Sequence, residues 1–272
     1  MPGPEKLLKD KKIGLALGGG AARGMAHIGV IKVLEEKGIV PHFIAGTSIG
    51  SIIGAIYARE LRADLLQEHA AEWSRWRIAQ LLDPILPRIG LIKGKKVEAV
   101  LDSYLGRLTF DDLKVPFACV AVDVDTGEEV LFKEGLVANA VRASISIPGV
   151  FVPVEWQGRL LIDGGVVNPV PVSTVREMGA NYVIAVNVLP RPAGRVLEPC
   201  NEADPRNLSI HAILMQTVNI ASNIISRNAL QGADLVIEPD VSHVSATDFH
   251  LAAEMIPPGR LAAEESLAAI GL

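Results

Sequence analysis

Short, wholly apolar runs alternate along this chain with longer stretches whose apolar positions recur every three to four residues. "KKIGLALGGG" opens on a charged pair, is apolar over Ile13–Leu17 and stops at glycines, the pattern of a short buried strand. "AARGMAHIGVIKVLEEKG" follows. Its Ile28, Ile31, Val33 and Leu34 share one face of a helix, and Gly38 is a natural C-terminal stop. The pair then repeats: "HFIAGTS" reads as a strand and "IGSIIGAIYARELR" as a helix with Ile49, Ile52, Ile53, Ile56, Tyr57 and Leu61 on one stripe. Near-continuous apolar strands alternating with helices predict an α/β protein: a three-layer sandwich with a mainly parallel central sheet and helices on both faces.

The pattern loosens over residues 64–114, which read as helical but less regular. There "WSRWRIAQLLDPILPRIGLIKGKK" mixes Trp73, Arg75, Trp76 and Arg77 with Ile and Leu. An interfacial helix would use Trp and Arg in this way. Pro84 and Pro87 limit its length and favour a helix that caps the core. Further on, "VPFACVAVDVDTGEEVLF" reads as two strands about a turn, "EGLVANAVRASISIP" as a short helix, and "GRLLIDGG" as a strand running into a glycine turn. "PVSTVREMGA" is a helix and "NYVIAVNVL" a buried strand. "PRPAGRVLEPCNEADPRN" has the polar, proline-rich composition of a surface loop. A long helix, "LSIHAILMQTVNIASNIISRNAL", a last strand in "ADLVIEPDV" and a closing helix in "GRLAAEESLAAIGL" complete the reading. No linker interrupts it, so a single domain over residues 1–272 is expected.

Composition narrows the classes. Hydrophobic residues are 49% of 272, enough for a sizeable core, and aromatics only 4%, so Ala, Val, Ile and Leu must fill it. A net charge of −5 argues against a nucleic-acid partner, which calls for a basic stripe. Cys119 and Cys200 form no C-x-x-C pair and point to a reducing compartment. "MPGPEKLLKDKK" is charged and leads into no apolar signal region, and no run approaches the ~20 apolar residues of a membrane span. A cytoplasmic location is expected, with peripheral contact at the inner face of the membrane compatible with it. Oligomeric state is left open.

The chemistry begins at "AGTSIGS". Gly46-Thr47-Ser48-Ile49-Gly50 has the G-x-S-x-G spacing of a nucleophilic serine on a sharp strand-to-helix turn, where side chains at 46 and 50 would meet backbone. The plainer reading is a helix cap, with Thr47 or Ser48 satisfying first-turn N–H groups. The loop "LGGGAARG" fits neither of two phosphate motifs. It lacks the Lys-Ser/Thr of a P-loop, and Arg23 stands where a dinucleotide fingerprint needs glycine. Gly18, Gly19 and Gly20 could instead turn backbone N–H groups toward one point as an oxyanion hole, with Arg23 bracing the loop.

A serine nucleophile needs a base. Among the histidines, His42 begins the strand that ends at Ser48 and so sits at the wrong end of the sheet. His27 reads as a packed or solvent-facing helix residue. His250 is the strongest rival because an α/β-hydrolase order places histidine last, although "SATDFHLAAEM" looks like a helix start. Asp163 fits better: it ends the apolar strand "LLID", and Gly164 and Gly165 let the chain turn away and leave the carboxylate facing a cleft. A simple Asx turn is the competing explanation of that aspartate. "DVDTGEEVLFKE" faintly suggests a calcium loop, but Gly127 and Glu128 stand where a ligand and a glycine are needed, so a hairpin turn is expected there.

Four blocks in order, "GGGAARGMAHIGVIKVLEE", "GTSIGSIIGA", "RASISIPGVFVPV" and "DGGVVNPVPV", resemble those of the patatin-like phospholipase family, specifically its small bacterial members. They span residues 18–172. The resemblance implies a Ser48–Asp163 dyad with no histidine, an oxyanion hole on the glycine loop, and hydrolysis of lipid acyl esters without metal or other cofactor. It departs from plant members at Leu17, where they carry aspartate. Two other readings stand beside it: a Ser-His-Asp carboxylesterase using His250, and a non-catalytic scaffold that binds lipid or a partner.

Overall fold

The computed structural model describes residues 8, 10–72, 83, 92–189 and 210–272. Trp73, Trp76 and their neighbouring arginines, and the whole proline-rich stretch after Leu189, lie outside them. The described strands are β1 (Ile13–Leu17), β2 (Phe43–Thr47), β3 (Phe117–Asp123), β4 (Glu129–Phe132), β5 (Val154–Trp156), β6 (Arg159–Asp163), β7 (Tyr182–Val186) and β8 (Leu235–Ile237). The helices are α1 (Ala26–Glu36), α2 (Ile49–Glu60), α3 (Ala63–Glu72), α4 (Lys95–Leu105), α5 (Val137–Ser144), α6 (Val172–Glu177), α7 (Ile210–Leu230) and α8 (Ile256–Ala269).

One mixed sheet is linked by hydrogen-bonded neighbours in the order β5-β6-β3-β2-β1-β7-β8; β6 and β2 take successive stretches of one edge of β3, and β4 pairs along its other edge. Its centre is parallel: β1 pairs with β2 and β7, β2 with β3, and β7 with β8. The chain steps from β1 outward through β2 and β3, then returns to place β7 and β8 on the other side. The carboxyl end of β1 is therefore where strand order reverses, the usual place for a cleft in such sheets.

Alternation along each strand sorts large from small side chains. Ile13, Leu15 and Leu17 of β1 join Ile44, Phe117, Cys119, Ile184 and residues of α1, α2, α5 and α8 in the larger core. Ala16, Ala45, Ala118, Val183 and Ala185 face the other way, toward Val172 and Val175 of α6. Both faces are covered, as the apolar strands predict. The small face draws α6 very close: a Cβ added at Gly14 would lie 2.9 Å from the Val175 Cβ.

Three local readings need amendment. Val154–Trp156, unmarked by the pattern, is an edge strand antiparallel to β6. β6 itself runs antiparallel to β3 rather than joining the parallel set. The closing helix starts earlier than "GRLAAEE", at Ile256, because Pro257 and Pro258 fit its first turn, where no amide donor is required. The "DTGE" segment is a hairpin turn between β3 and β4, closed by Gly127 N–H to the Asp123 carbonyl at 2.8 Å.

α1 and α8 cross at two glycines. A Cβ on Gly29 would lie 2.1 Å from the Ile256 carbonyl oxygen, and one on Gly259 would lie 2.0 Å from that of Ala26. Backbone cannot yield there as a flexible side chain could. Gly259→Ala is expected to destabilise the fold by roughly 2–3 kcal/mol in urea unfolding, although alanine alone would favour a helix by about 1 kcal/mol. A neutral or stabilising result would show that the helices separate freely.

Candidate active site

The site is made by two strand ends meeting. Cys119 and Val120 of β3 pair with both β2 and β4, so those two strands flank β3 on opposite sides. Ala121 and Val122 pair with both β4 and β6. It follows that β2 and β6 share one edge of β3 and approach from opposite directions. Thr47 lies across from Val120 and Asp163 across from Ala121, one position further on. Ser48, the next residue after β2, is thereby brought to Asp163 across 115 residues of sequence.

Ser48 Oγ donates to Asp163 Oδ2 at 2.5 Å, and both residues are buried. The backbone of Ser48 has φ 54° and ψ −126°, a combination costly for any residue with a Cβ. Neighbouring glycines permit the turn: a Cβ at Gly46 would sit 2.3 Å from the Gly50 carbonyl oxygen, and one at Gly50 2.2 Å from that of Leu17. The helix-cap reading does not describe either hydroxyl. Thr47 Oγ1 donates to the Asn168 carbonyl at 2.8 Å, and Ser48 makes no side-chain cap to α2.

Asp163 does two things at once. Its Oδ1 accepts from Gly165 N–H at 2.7 Å, which is the Asx turn, while Oδ2 remains for Ser48. Gly164 fits because its Cα lies against β3; a Cβ there would be 2.3 Å from the Val120 carbonyl oxygen. Burial pushes the Asp163 carboxyl up to about 6, against the opposing pull of its hydrogen bonds from Ser48 and Gly165.

Three buried residues that the sequence reading did not single out support this pair. Ser144 Oγ, at the end of α5, accepts the Ser48 N–H at 3.0 Å. The Ser146 carbonyl accepts the Asp163 N–H at 2.9 Å. Arg142 Nη1 donates to Ser146 Oγ at 2.8 Å, and its Nη2 reaches the Lys93 carbonyl at 3.1 Å. All three lie in "RASIS", so the block's spacing carried the signal, but their partners are distant in sequence.

The glycine loop passes over the serine: a Cβ on Gly19 would lie 3.3 Å from the Ser48 Cβ. Its donors differ from expectation. Gly18 N–H continues the β1–β7 ladder to the Val186 carbonyl at 3.0 Å, and Gly19 N–H reaches the Pro169 carbonyl at 2.9 Å. Those two N–H groups are therefore occupied. The next two, of Gly20 and Ala21, meet no acceptor among the described residues. Arg23 is buried and turns away from the loop, its Nε donating to the Val244 carbonyl at 2.7 Å, so it ties the loop to the segment before α8.

Four of the six histidines have identified surroundings. His27 is fully buried and its Nε2–H donates to the Gly18 carbonyl at 2.8 Å, leaving Nδ1 unprotonated and unpartnered among the described residues. Burial pushes it down to about 4. His42 Nδ1 accepts the Ile13 N–H at the far end of the sheet. His69 packs against Tyr104. His250 lies 4.0 Å from Asp248. Among the described residues, no histidine hydrogen-bonds to Ser48 or Asp163. Nor does any cluster of His, Cys, Asp and Glu there have the make-up of a metal site. No described helix is long and apolar enough to cross a membrane.

Comparison with known proteins agrees with this architecture. The family model described as "Patatin-like phospholipase" matches residues 15–176. An uncharacterized NTE family protein of Mycobacterium tuberculosis is 37% identical over 209 residues, covering 75% of this chain and 57% of its own. Human patatin-like phospholipase domain-containing protein 6 is 36% identical over 189 residues, covering 67% of this chain and 14% of its own. The chain thus spans little more than half of the mycobacterial relative and a small part of the human one. Among solved structures, VipD of Legionella pneumophila superposes with a TM-score of 0.58 at 14% identity, covering 95% of this chain and 67% of VipD. This chain belongs to the patatin-like phospholipase family.

Proposed function

We propose that the chain is a serine hydrolase of lipid acyl esters, with Ser48 as nucleophile and Asp163 as its base. The observation that carries this reading is the 2.5 Å contact of Ser48 Oγ with a buried carboxylate, made on a strained strand-to-helix turn. A hydroxyl held in this way has its proton acceptor in place before substrate arrives. Ser48 Oγ attacks the ester carbonyl carbon and its proton passes to Asp163 Oδ2. The carbonyl π electrons move to oxygen. When the tetrahedral intermediate collapses, the C–O bond to the alcohol breaks and Asp163 returns the proton to the departing oxygen. Water then attacks the acyl-serine, with Asp163 again taking and returning a proton.

The oxyanion is assigned to the N–H groups of Gly20 and Ala21, since those of Gly18 and Gly19 are engaged by carbonyls. Each such donor is worth roughly 2.7–4 kcal/mol of the barrier. Ser144 and Ser146 are positioning residues: one holds the nucleophile's N–H and the other the base's. Gly46, Gly50, Gly164 and Gly165 permit the turns, and Arg23 and His27 brace the glycine loop. No step requires a metal or organic cofactor. The family and the buried dyad favour a lipid or acyl-ester substrate met at the surface of a membrane or micelle.

Fluorophosphonate labelling and an ester panel of graded acyl length test the assignment. Ser48→Ala should abolish labelling, and Ser48→Ala and Asp163→Asn should each lower kcat by at least about 10³-fold, while His250→Asn stays within about twofold. Near-normal hydrolysis by Asp163→Asn would refute the dyad. A folded wild type that neither labels nor hydrolyses any ester would point to the scaffold reading.

Because Asp163 must be ionised to accept the proton, kcat/KM measured by pH-stat should fall tenfold per unit as pH drops below about 6. The sign for stability is the opposite. A carboxyl raised in the folded state favours folding most below its unfolded value near 4, and that contribution is lost as pH rises through about 6. Asp163→Asn is therefore expected to be more stable than wild type at pH 8, by on the order of 2 kcal/mol in urea unfolding. Equal or lower stability would mean that the carboxylate is better solvated than its burial indicates.

Ser144→Ala leaves the Ser48 N–H buried without an acceptor, a loss of roughly 1–3 kcal/mol. If that loss falls on the nucleophile's geometry, kcat drops about 10- to 100-fold at unchanged KM, and Ser144→Thr restores most of it. A purely structural role would instead lower the unfolding midpoint and leave kcat intact.

A further inference from the structure

Helix α7 is apolar on both faces. Its inward face carries Ser222 and Ser226, both buried, beside half-buried Met215, Val218 and Ile225, with Ser222 Oγ donating to the Gly165 carbonyl at 2.8 Å. Its outward face also carries large apolar side chains: Ile210 is 78% exposed, Leu214 60% and Ile224 61%, with Ile213 and Ile220 about half exposed. Single exposed leucines need no explanation, but a continuous stripe along one helix does.

The stripe has the spacing of a helix–helix seam. Ile210, Ile213, Thr217, Ile220 and Ile224 succeed one another by alternating steps of three and four residues, the 3.5-residue repeat of paired helices. Leu214 and Ala221 flank it in equivalent positions. The arrangement is also symmetric about Thr217: apolar residues stand three, four and seven positions away on either side. An antiparallel copy of the same helix, with a two-fold axis at Thr217, sets Ile210 against Ile224, Leu214 against Ile220, and Ile213 against the small Ala221. Self-complementarity of this kind is the requirement for a two-fold interface. It would run about 21 Å along the helix.

The chemistry of the face favours a protein helix over a lipid surface. Residues 210–230 contain no Lys, Trp, Tyr, Phe, Asp or Glu, and Arg227 is the one arginine. Interfacial helices depend on basic and aromatic residues to seat them in head groups, whereas an uncharged seam brings no like charges together when it meets its own copy.

We propose that the outward face of α7 is the interface of an antiparallel homodimer centred on Thr217. Sedimentation velocity of the full chain over roughly 1–100 µM, a range that spans weak homodimers, should show a concentration-dependent dimer. Ile220→Glu should weaken association by about 100-fold by burying a charge in the seam. Its unfolding midpoint and its fluorophosphonate labelling should match wild type, showing that the variant is folded. In a Cys200→Ser background, oxidation should cross-link Thr217→Cys to itself but not Ile224→Cys, whereas Ile210→Cys with Ile224→Cys together should cross-link. A wild type that is monomeric throughout this range overturns the proposal, as does a dimer unaffected by Ile220→Glu. If that monomer co-sediments with phosphatidylglycerol–phosphatidylcholine vesicles and Ile220→Glu does not, the face is a lipid-docking surface instead.

Discussion

Two strands that run toward each other along a single edge of β3 determine the site. Hydrogen-bond register places Thr47 and Asp163 at successive positions across from Val120 and Ala121, so the residue after one strand must meet the last residue of the other. A shift of one residue in either strand would turn a core side chain toward the site and move Ser48 or Asp163 out of reach. The packing of β3 between helices, with every residue from Phe117 to Asp123 buried, holds that register. The Ser48–Asp163 contact is thus fixed by the sheet, and its geometry is inherited from backbone pairing rather than from loops.

Around this meeting, backbone approaches backbone more closely than side chains allow. Gly46 lies on Gly50, Gly50 on Leu17, and Gly164 on Val120. These contacts hold Ser48 in its left-handed conformation and press the glycine loop down over it. Polar atoms exposed by such tight turns find partners: Thr47 with Asn168, the Ser48 N–H with Ser144, and Gly18 with His27 on its carbonyl side and Val186 on its N–H side. The two strongly shifted groups nearby act in opposite senses. Asp163 favours the folded state more as pH falls toward 4, while His27, held neutral, costs stability as pH falls from its ordinary value toward 4. Over that window their contributions offset each other.

The layered fold was legible because its strands are short, apolar on both faces and separated by helices of regular period. Ser48, Asp163 and their glycines were legible because each sits at a strand end followed by a turn that only small residues permit. Less was readable where the cause is a distant partner. Nothing local to Ser144 marks it as the acceptor of a backbone N–H 96 residues away. Nothing local to Gly18 and Gly19 reveals that Val186 and Pro169 occupy their donors. The antiparallel course of β6 was equally hidden, because strand direction depends on which edge of β3 remains free after β2 has paired.

On the proposed chemistry, the head-to-head junction also bears on when activity can arise during synthesis. Ser48, its turn and the glycine loop all precede Asp163 in the chain, and β1 and β2 can pair as soon as both exist. Asp163 arrives 115 residues later and reaches the serine only after β3 has presented the remaining half of its edge. A growing chain that carries Ser48 therefore lacks the Asp163 carboxylate beside it until β6 is made. On the proposed chemistry, ester cleavage switches on in a single step with the docking of β6, and partly made chains are harmless to lipid.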